Sequence, residues 1–169
     1  SQQLLLESER TLSSILNSLD EVVWAISLPD SKLVLISNSF DKVFGKSSKI
    51  RERKFLLWKE IILPEDKWIG ERIEKEVITQ GQSNGIFRIK DAQGNIKWLE
   101  NTVKIIRNEQ DEPIMVIGTS IDITEKKNAE DALISAQELT EEANRSKAEL
   151  ELRALQMQMN PHFIFNVLN

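Results

Sequence analysis

The sequence predicts an α+β domain, a five-stranded antiparallel sheet with a helical middle, flanked by an N-terminal helix and a long C-terminal coiled-coil helix. Three observations carry that prediction. Short apolar runs separated by turn residues fill the stretch up to Thr124. All six glycines lie between Gly45 and Gly118, and all four tryptophans lie at or before Trp98. From Glu125 to Gln158 there is no Gly, Pro or aromatic residue, and the composition shifts to Ala, Leu, Glu, Lys and Gln, which are good helix formers. At 169 residues there is room for one domain of ordinary size with an appendage. The expected organisation is a linker helix over 1–20, a globular domain over 21–124, a coiled-coil helix over 125–158 and the start of a further helix over 159–169.

The elements follow in chain order. Val22, Trp24, Ile26 and Leu28 alternate with Val23, Ala25 and Ser27, and Pro29-Asp30-Ser31 turns the chain into the apolar run Leu33 to Ile36, which predicts a hairpin. Phe40 and Phe44 at i,i+4 with Gly45 beyond them predict a short helix, and Phe55 to Ile62 predicts another. Pro64-Glu65-Asp66 is suited to open a helix that runs to about Gln80, with acids near its positive dipole end. Strands are expected at Gly85 to Lys90 and Ile96 to Ile106 around the turn Asp91 to Asn95. In the last strand Met115, Ile117, Thr119, Ile121 and Ile123 are expected to face inward. The apolar phase slips between Trp98 and Leu99, which places a bulge near Glu100 or Asn101.

Composition removes several functions. The net charge is −5 and no long basic run is present, so nucleic acid is not an expected partner. With no Cys and one His, thiolate chemistry, disulfides and multi-histidine metal sites are excluded. No apolar run reaches the roughly 18–20 residues needed to cross a bilayer, so no membrane segment is expected. The lack of an initiating Met and the end inside an apolar run predict a piece of a longer polypeptide.

Four stretches, SNSFDKVFG, WKEIILPEDK, FRIKDAQGNIKWLE and GTSIDITEKKNAE, together resemble the PAS sensory domain over about Ser8 to Lys127. Asp122-Ile123-Thr124 matches that family's Asp-Ile-Thr exit motif and is the most specific of the matches. The resemblance implies a PAS fold. By themselves Asp122 and Thr124 fit a helix start, where their side chains satisfy free backbone NH groups. The functional reading adds signal coupling, with Asp122 pairing to a Lys or Arg at the base of the exit helix. PAS domains often hold a ligand between sheet and helices. Here no Cys is available for a flavin adduct and the one His lies far from that region, so a histidine-ligated haem is not expected. Trp24, Phe40, Phe44 and Met115 are expected chiefly as core; the ligand, if any, is unknown from sequence.

The long helix carries a heptad row, Ala129, Leu133, Ala136, Thr140, Ala143, Lys147, Leu150, Ala154 and Met157, which predicts parallel pairing with a second copy. Its members are mostly small, so competing registers exist. Leu5, Leu12, Leu16 and Leu19 in the leading helix extend the same expected homodimer.

The last segment, LRALQMQMNPHFIFNVLN, resembles the phosphoacceptor box of LytS-like sensor histidine kinases. The resemblance implies that His162 receives the γ-phosphoryl group of ATP. Imidazole suits this role because one ring nitrogen attacks while the other is oriented by a hydrogen bond. Asn166, four residues on, shares its helical face and is assigned an accessory role, orienting the ring or a phosphatase water. Pro161 removes a backbone donor beside it and predicts a kink. No Gly-rich nucleotide segment occurs, so ATP and Mg²⁺ belong to a separate ATP-binding kinase domain and the fragment alone should be inert. The expected function is a cytoplasmic sensor and transmission piece whose phosphoryl group passes to an Asp of a response regulator. The rivals are a non-catalytic ligand-binding and dimerisation module and a stand-alone hydrolase. The hydrolase lacks a second His and a G-x-S-x-G elbow.

Overall fold

A computed structural model of the chain describes residues 1–46, 58–159 and 166. Helix α1 covers Gln2–Ser18, strand β1 Val22–Ser27, β2 Leu33–Ile36, α2 Phe40–Phe44 and α3 Trp58–Ile61. A 3-10 turn at Pro64–Asp66 leads into α4, Lys67–Gln80, followed by β3 at Gln82–Lys90, β4 at Ile96–Arg107 and β5 at Pro113–Asp122. Helix α5 is Thr124–Met159, 36 residues without a break. The chain divides into two units, Ser1–Glu125 and Lys126–Asn169.

The first unit is the expected α+β architecture. Its sheet has five strands in the order β2-β1-β5-β4-β3, every pair antiparallel. Alternation along β1 puts Val22, Trp24 and Ile26 on one face, where they meet Phe40 and Phe44 of α2 and Ile73 and Val77 of α4. The two phenyl rings of α2 stack with centroids 4.7 Å apart, as i,i+4 neighbours can. Gly81 ends α4 in the left-handed region at φ 82°, a conformation glycine adopts without a Cβ penalty.

Three sequence expectations are corrected. Strand β4 pairs with β3 and β5 in unbroken register through Glu100 and Asn101, and its irregularity lies at Ile106/Arg107 instead. The apparent phase slip arises because Trp98 lies on the opposite face from Leu99, where the Arg88 guanidinium sits 5.4 Å from its ring centroid. Strand β5 turns Val116, Gly118 and Ser120 toward the core, and Met115, Ile117, Thr119 and Ile121 occupy the other face. Neighbouring strands bring Trp24 and Leu99 to the core face, so β5 supplies small residues there. Asp66, expected to serve the start of α4, makes no capping bond.

Asp66 instead fastens that helix to the sheet. Its carboxylate accepts from the Arg88 backbone NH at 2.7 Å, from Nε at 2.8 Å and from Nη2 at 2.6 Å. Hydrogen bonds from Arg88 hold the Asp66 carboxyl below its ordinary range, outweighing the upward push of burial. A second tie forms at the β3–β4 turn. Burial pushes the Asp91 carboxyl up, but hydrogen bonds from Asn95, the Gln93 NH and Lys97 bring it below its ordinary value. Lys97 Nζ also donates to the carbonyls of Val43 at 2.7 Å and Lys42 at 3.0 Å, at the end of α2.

In the second unit, every residue of α5 from Asn128 to Met159 is exposed. Leu133, Leu139, Leu150, Leu152 and Leu155 are therefore uncovered in a single chain. Thr140, inside the heptad row, donates its hydroxyl to the Ala136 carbonyl. Among the described residues no helix is long and apolar enough to cross a membrane, and no cluster of His, Cys, Asp or Glu could hold a metal ion.

Candidate functional site

A cavity of about 380 Å³ lies between the sheet and helices α2, α3 and α4. Trp24, Phe40, Phe44, Trp58 and Phe87 supply aromatic walls, and Ile73, Val77, Leu99 and Val103 fill between them. Trp24, Phe40 and Phe44 thus both build the core and border open space. Met115 does not, because β5 faces the other way. The polar side chains at the wall are Ser31, Glu74, Asn101 and Ser120. Glu74 is paired with Lys59 at 3.1 Å. Asn101 and Ser120 are direct cross-strand partners of β4 and β5, and the serine hydroxyl donates to Asn101 Oδ1. Sequence patterning missed this pair because it placed β5 in the opposite phase. The signal available was the run of small residues at Gly118 and Ser120.

At the end of β5 the exit motif forms a compact junction with β4. Asp122 Oδ1 accepts from the Thr124 backbone NH at 3.0 Å and from the Thr124 hydroxyl. Thr124 Oγ1 in turn accepts from the Trp98 NH at 2.9 Å, and the Ile123 NH donates to the Trp98 carbonyl at 2.9 Å. The Asp122 carboxylate thus serves the helix start through its own neighbour, Thr124. The structure therefore brings Asp122 and Thr124 together and ties both to β4. The segment with His162 and Pro161 lies outside the described residues; Asn166 is helical and exposed.

Comparison with known proteins gives two family matches. The PAS fold family matches residues 33–120, and the histidine kinase family matches residues 150–169. Among curated proteins, the two-component sensor PprA of Pseudomonas aeruginosa is 24% identical over 129 residues, 75% of this chain. The match spans 14% of PprA's own length. Solved structures also share the fold, and two of them illustrate it. A PAS domain from Colwellia psychrerythraea is 18% identical at a TM-score of 0.56, covering 69% of this chain and 97% of its own. A sensory box histidine kinase/response regulator from Burkholderia thailandensis is 20% identical at a TM-score of 0.59, covering 75% and 95%.

Proposed function

The chain belongs to the PAS fold family, and from that premise we propose that it is the sensory and transmission piece of a LytS-like two-component histidine kinase. One observation carries the reading. The histidine kinase match at residues 150–169 contains the only histidine of the chain, within Asn160-Pro161-His162-Phe163.

In this reading a ring nitrogen of His162 attacks the γ-phosphorus of ATP and ADP departs. A separate ATP-binding domain holds the nucleotide and Mg²⁺, since phosphoryl transfer depends on positioning and charge stabilisation. The phosphoryl group then passes to an Asp of a response regulator, and Asn166 orients the ring or a hydrolytic water. The chain pairs in parallel with a second copy through α5, whose apolar row needs cover: an isolated helix of this composition gains most of its stability from packing. The location in this proposal is cytoplasmic.

The PAS unit acts on His162 through β5. A change on the cavity face of that strand reaches Asp122 and Thr124 within a few residues, and their hydrogen bonds fix where α5 begins relative to β4. Weak packing along the heptad row gives α5 two arrangements of similar energy, which such a change can bias.

The test is labelling from ATP carrying a tagged γ-phosphate, in the presence of the parent's catalytic domain. The wild-type chain is expected to take up label and His162→Gln to take up none. Incorporation at another side chain overturns the assignment, and no incorporation at all leaves the non-catalytic binding and dimerisation module.

A further inference from the structure

Helix α4 turns Ile73 and Val77 into the core and leaves Trp68, Glu71, Lys75 and Ile78 exposed. Trp68 is 62% exposed and Ile78 68%. Single exposed apolar residues are ordinary on a protein surface. These four, however, follow one another at steps of three, four and three residues, so they form one row along the helix.

The row is its own complement when reversed. Ile73 is its midpoint: Trp68 and Ile78 lie five residues to either side of it, and Glu71 and Lys75 two residues to either side. Two copies of α4 packed antiparallel about a two-fold axis at that level place Trp68 of each against Ile78 of the other, and Glu71 against Lys75, each contact occurring twice. Parallel packing sets Glu71 beside Glu71 and Lys75 beside Lys75, so charge selects the antiparallel arrangement. Among the described residues Glu71 and Lys75 form no ion pair, whereas Arg72 is held by Glu76 at 2.7 Å and Glu74 by Lys59 at 3.1 Å. The two free charges can therefore pair between copies without giving up a pair within the chain.

The same face carries a receptacle. Glu71, Glu74, Lys75, Ile78 and Thr79 line a shallow groove on α4. The first four stand at i, i+3, i+4 and i+7, the diamond of side chains that receives a knob when helices pack. Trp68 is suited to be that knob, because its indole offers a large, rigid apolar body, and tryptophan is enriched among the anchors of protein interfaces.

We propose that α4 is a docking surface for a second copy of this chain, bound antiparallel, with each Trp68 entering the other copy's groove at its Ile78 end and Glu71 pairing with Lys75 on both sides of the axis. The contact is separate from the pairing proposed for α5 and does not rest on the kinase reading. One 14-residue helix offers a small surface, so the contact is weak, with a dissociation constant on the order of 10⁻⁴ M, and it acts where copies are already concentrated.

The experiment uses the 169-residue chain carrying Leu133→Glu and Leu150→Glu, which removes the pairing proposed for α5 and leaves α4 untouched. In sedimentation equilibrium its mass is expected to rise from one chain toward two between about 10 µM and about 1 mM. Trp68→Ala in that chain is expected to remain a monomer, because both copies lose the anchor. Glu71→Lys and Lys75→Glu each set like charges face to face and should each weaken association by about tenfold. An equimolar mixture of those two variants should regain the original affinity, since every facing pair is again opposite in charge. A mass of one chain throughout overturns the proposal and leaves the row to solvent or to a different protein. Association that survives Trp68→Ala overturns it as well, and a mixture no tighter than its components refutes the antiparallel register. The mixing result decides the matter even if Trp68→Ala misfolds. No ATP is present and His162 is unchanged, so this test and the labelling test stand or fall separately.

Discussion

The indole of Trp24 lies directly on the backbone of Gly118, its cross-strand partner: a Cβ built on that glycine would stand 2.2 Å from ring atom Cζ2. No side chain fits in that gap. The glycine is what allows a tryptophan to lie across β5 and wall the cavity.

Gly118→Ala is therefore expected to force the ring away and destabilise the domain by about 1–3 kcal/mol, the usual cost of overpacking. Urea unfolding followed by tryptophan fluorescence measures it. Adding Trp24→Phe to the same chain should return part of the loss, and a Gly118→Ala chain as stable as wild type would contradict the packing described.

Asp66 gives a pH dependence. Its folded carboxyl titrates below the ordinary 3.8, so the stability it contributes is fully present above that value and is lost as pH falls through the lower folded value. Asp66→Ala is expected to cost about 1.5–3 kcal/mol at neutral pH, the range for hydrogen bonds to a charged group. The gap between wild type and variant should narrow as pH drops below 3.8. Denaturant midpoints across an acid series check both parts; a gap constant into strong acid would refute the second.

Asp122 and Thr124 should separate coupling from folding. Asp122→Ala removes one local acceptor, worth about 1 kcal/mol, and should shift the melting transition by no more than a few degrees. In the kinase proposed above it should nonetheless change the rate of His162 labelling. Thr124→Ser keeps the acceptor for the Trp98 NH and is expected to behave as wild type, whereas Thr124→Val loses it. A variant series in which output follows melting temperature alone would reduce the junction to a stability element.

The exposed row of α5 makes the fourth prediction. Placing Glu at both Leu133 and Leu150 puts charge into two layers of the proposed helix pair, and sedimentation should report half the wild-type mass with reduced helical circular dichroism. An unchanged mass would locate self-association elsewhere.

Much of this architecture is legible in the sequence, because it depends on local chemistry. Leu33 to Ile36, Phe40 to Phe44 with Gly45, and the helix ending at Gly81 are written in apolar spacing and turn residues. What fails is whatever depends on which strand lies beside which. The sheet face of β5 was misassigned because Met115, Ile117 and Ile121 are more apolar than Val116, Gly118 and Ser120, and only the neighbouring Trp24 explains the small residues. The trio Asp66, Arg88 and Trp98 joins residues far apart in the chain and has no periodic signature. His162 stands out for a different reason: it is the single imidazole of the sequence.

Lys97 fixes one corner of the cavity's roof. Its ammonium serves the Val43 and Lys42 carbonyls and the Asp91 carboxylate together, and the Ala92 NH binds the Phe44 carbonyl beside it. A tetrahedral group with three hydrogens can divide itself among three oxygens, whereas a flat guanidinium cannot take up that arrangement. The short helix bearing Phe40 and Phe44 is thus riveted at its far end, while at its near end the Ser39 hydroxyl donates to the Leu19 carbonyl at 2.6 Å, so the helix cannot shift along its length without breaking one of the two ties.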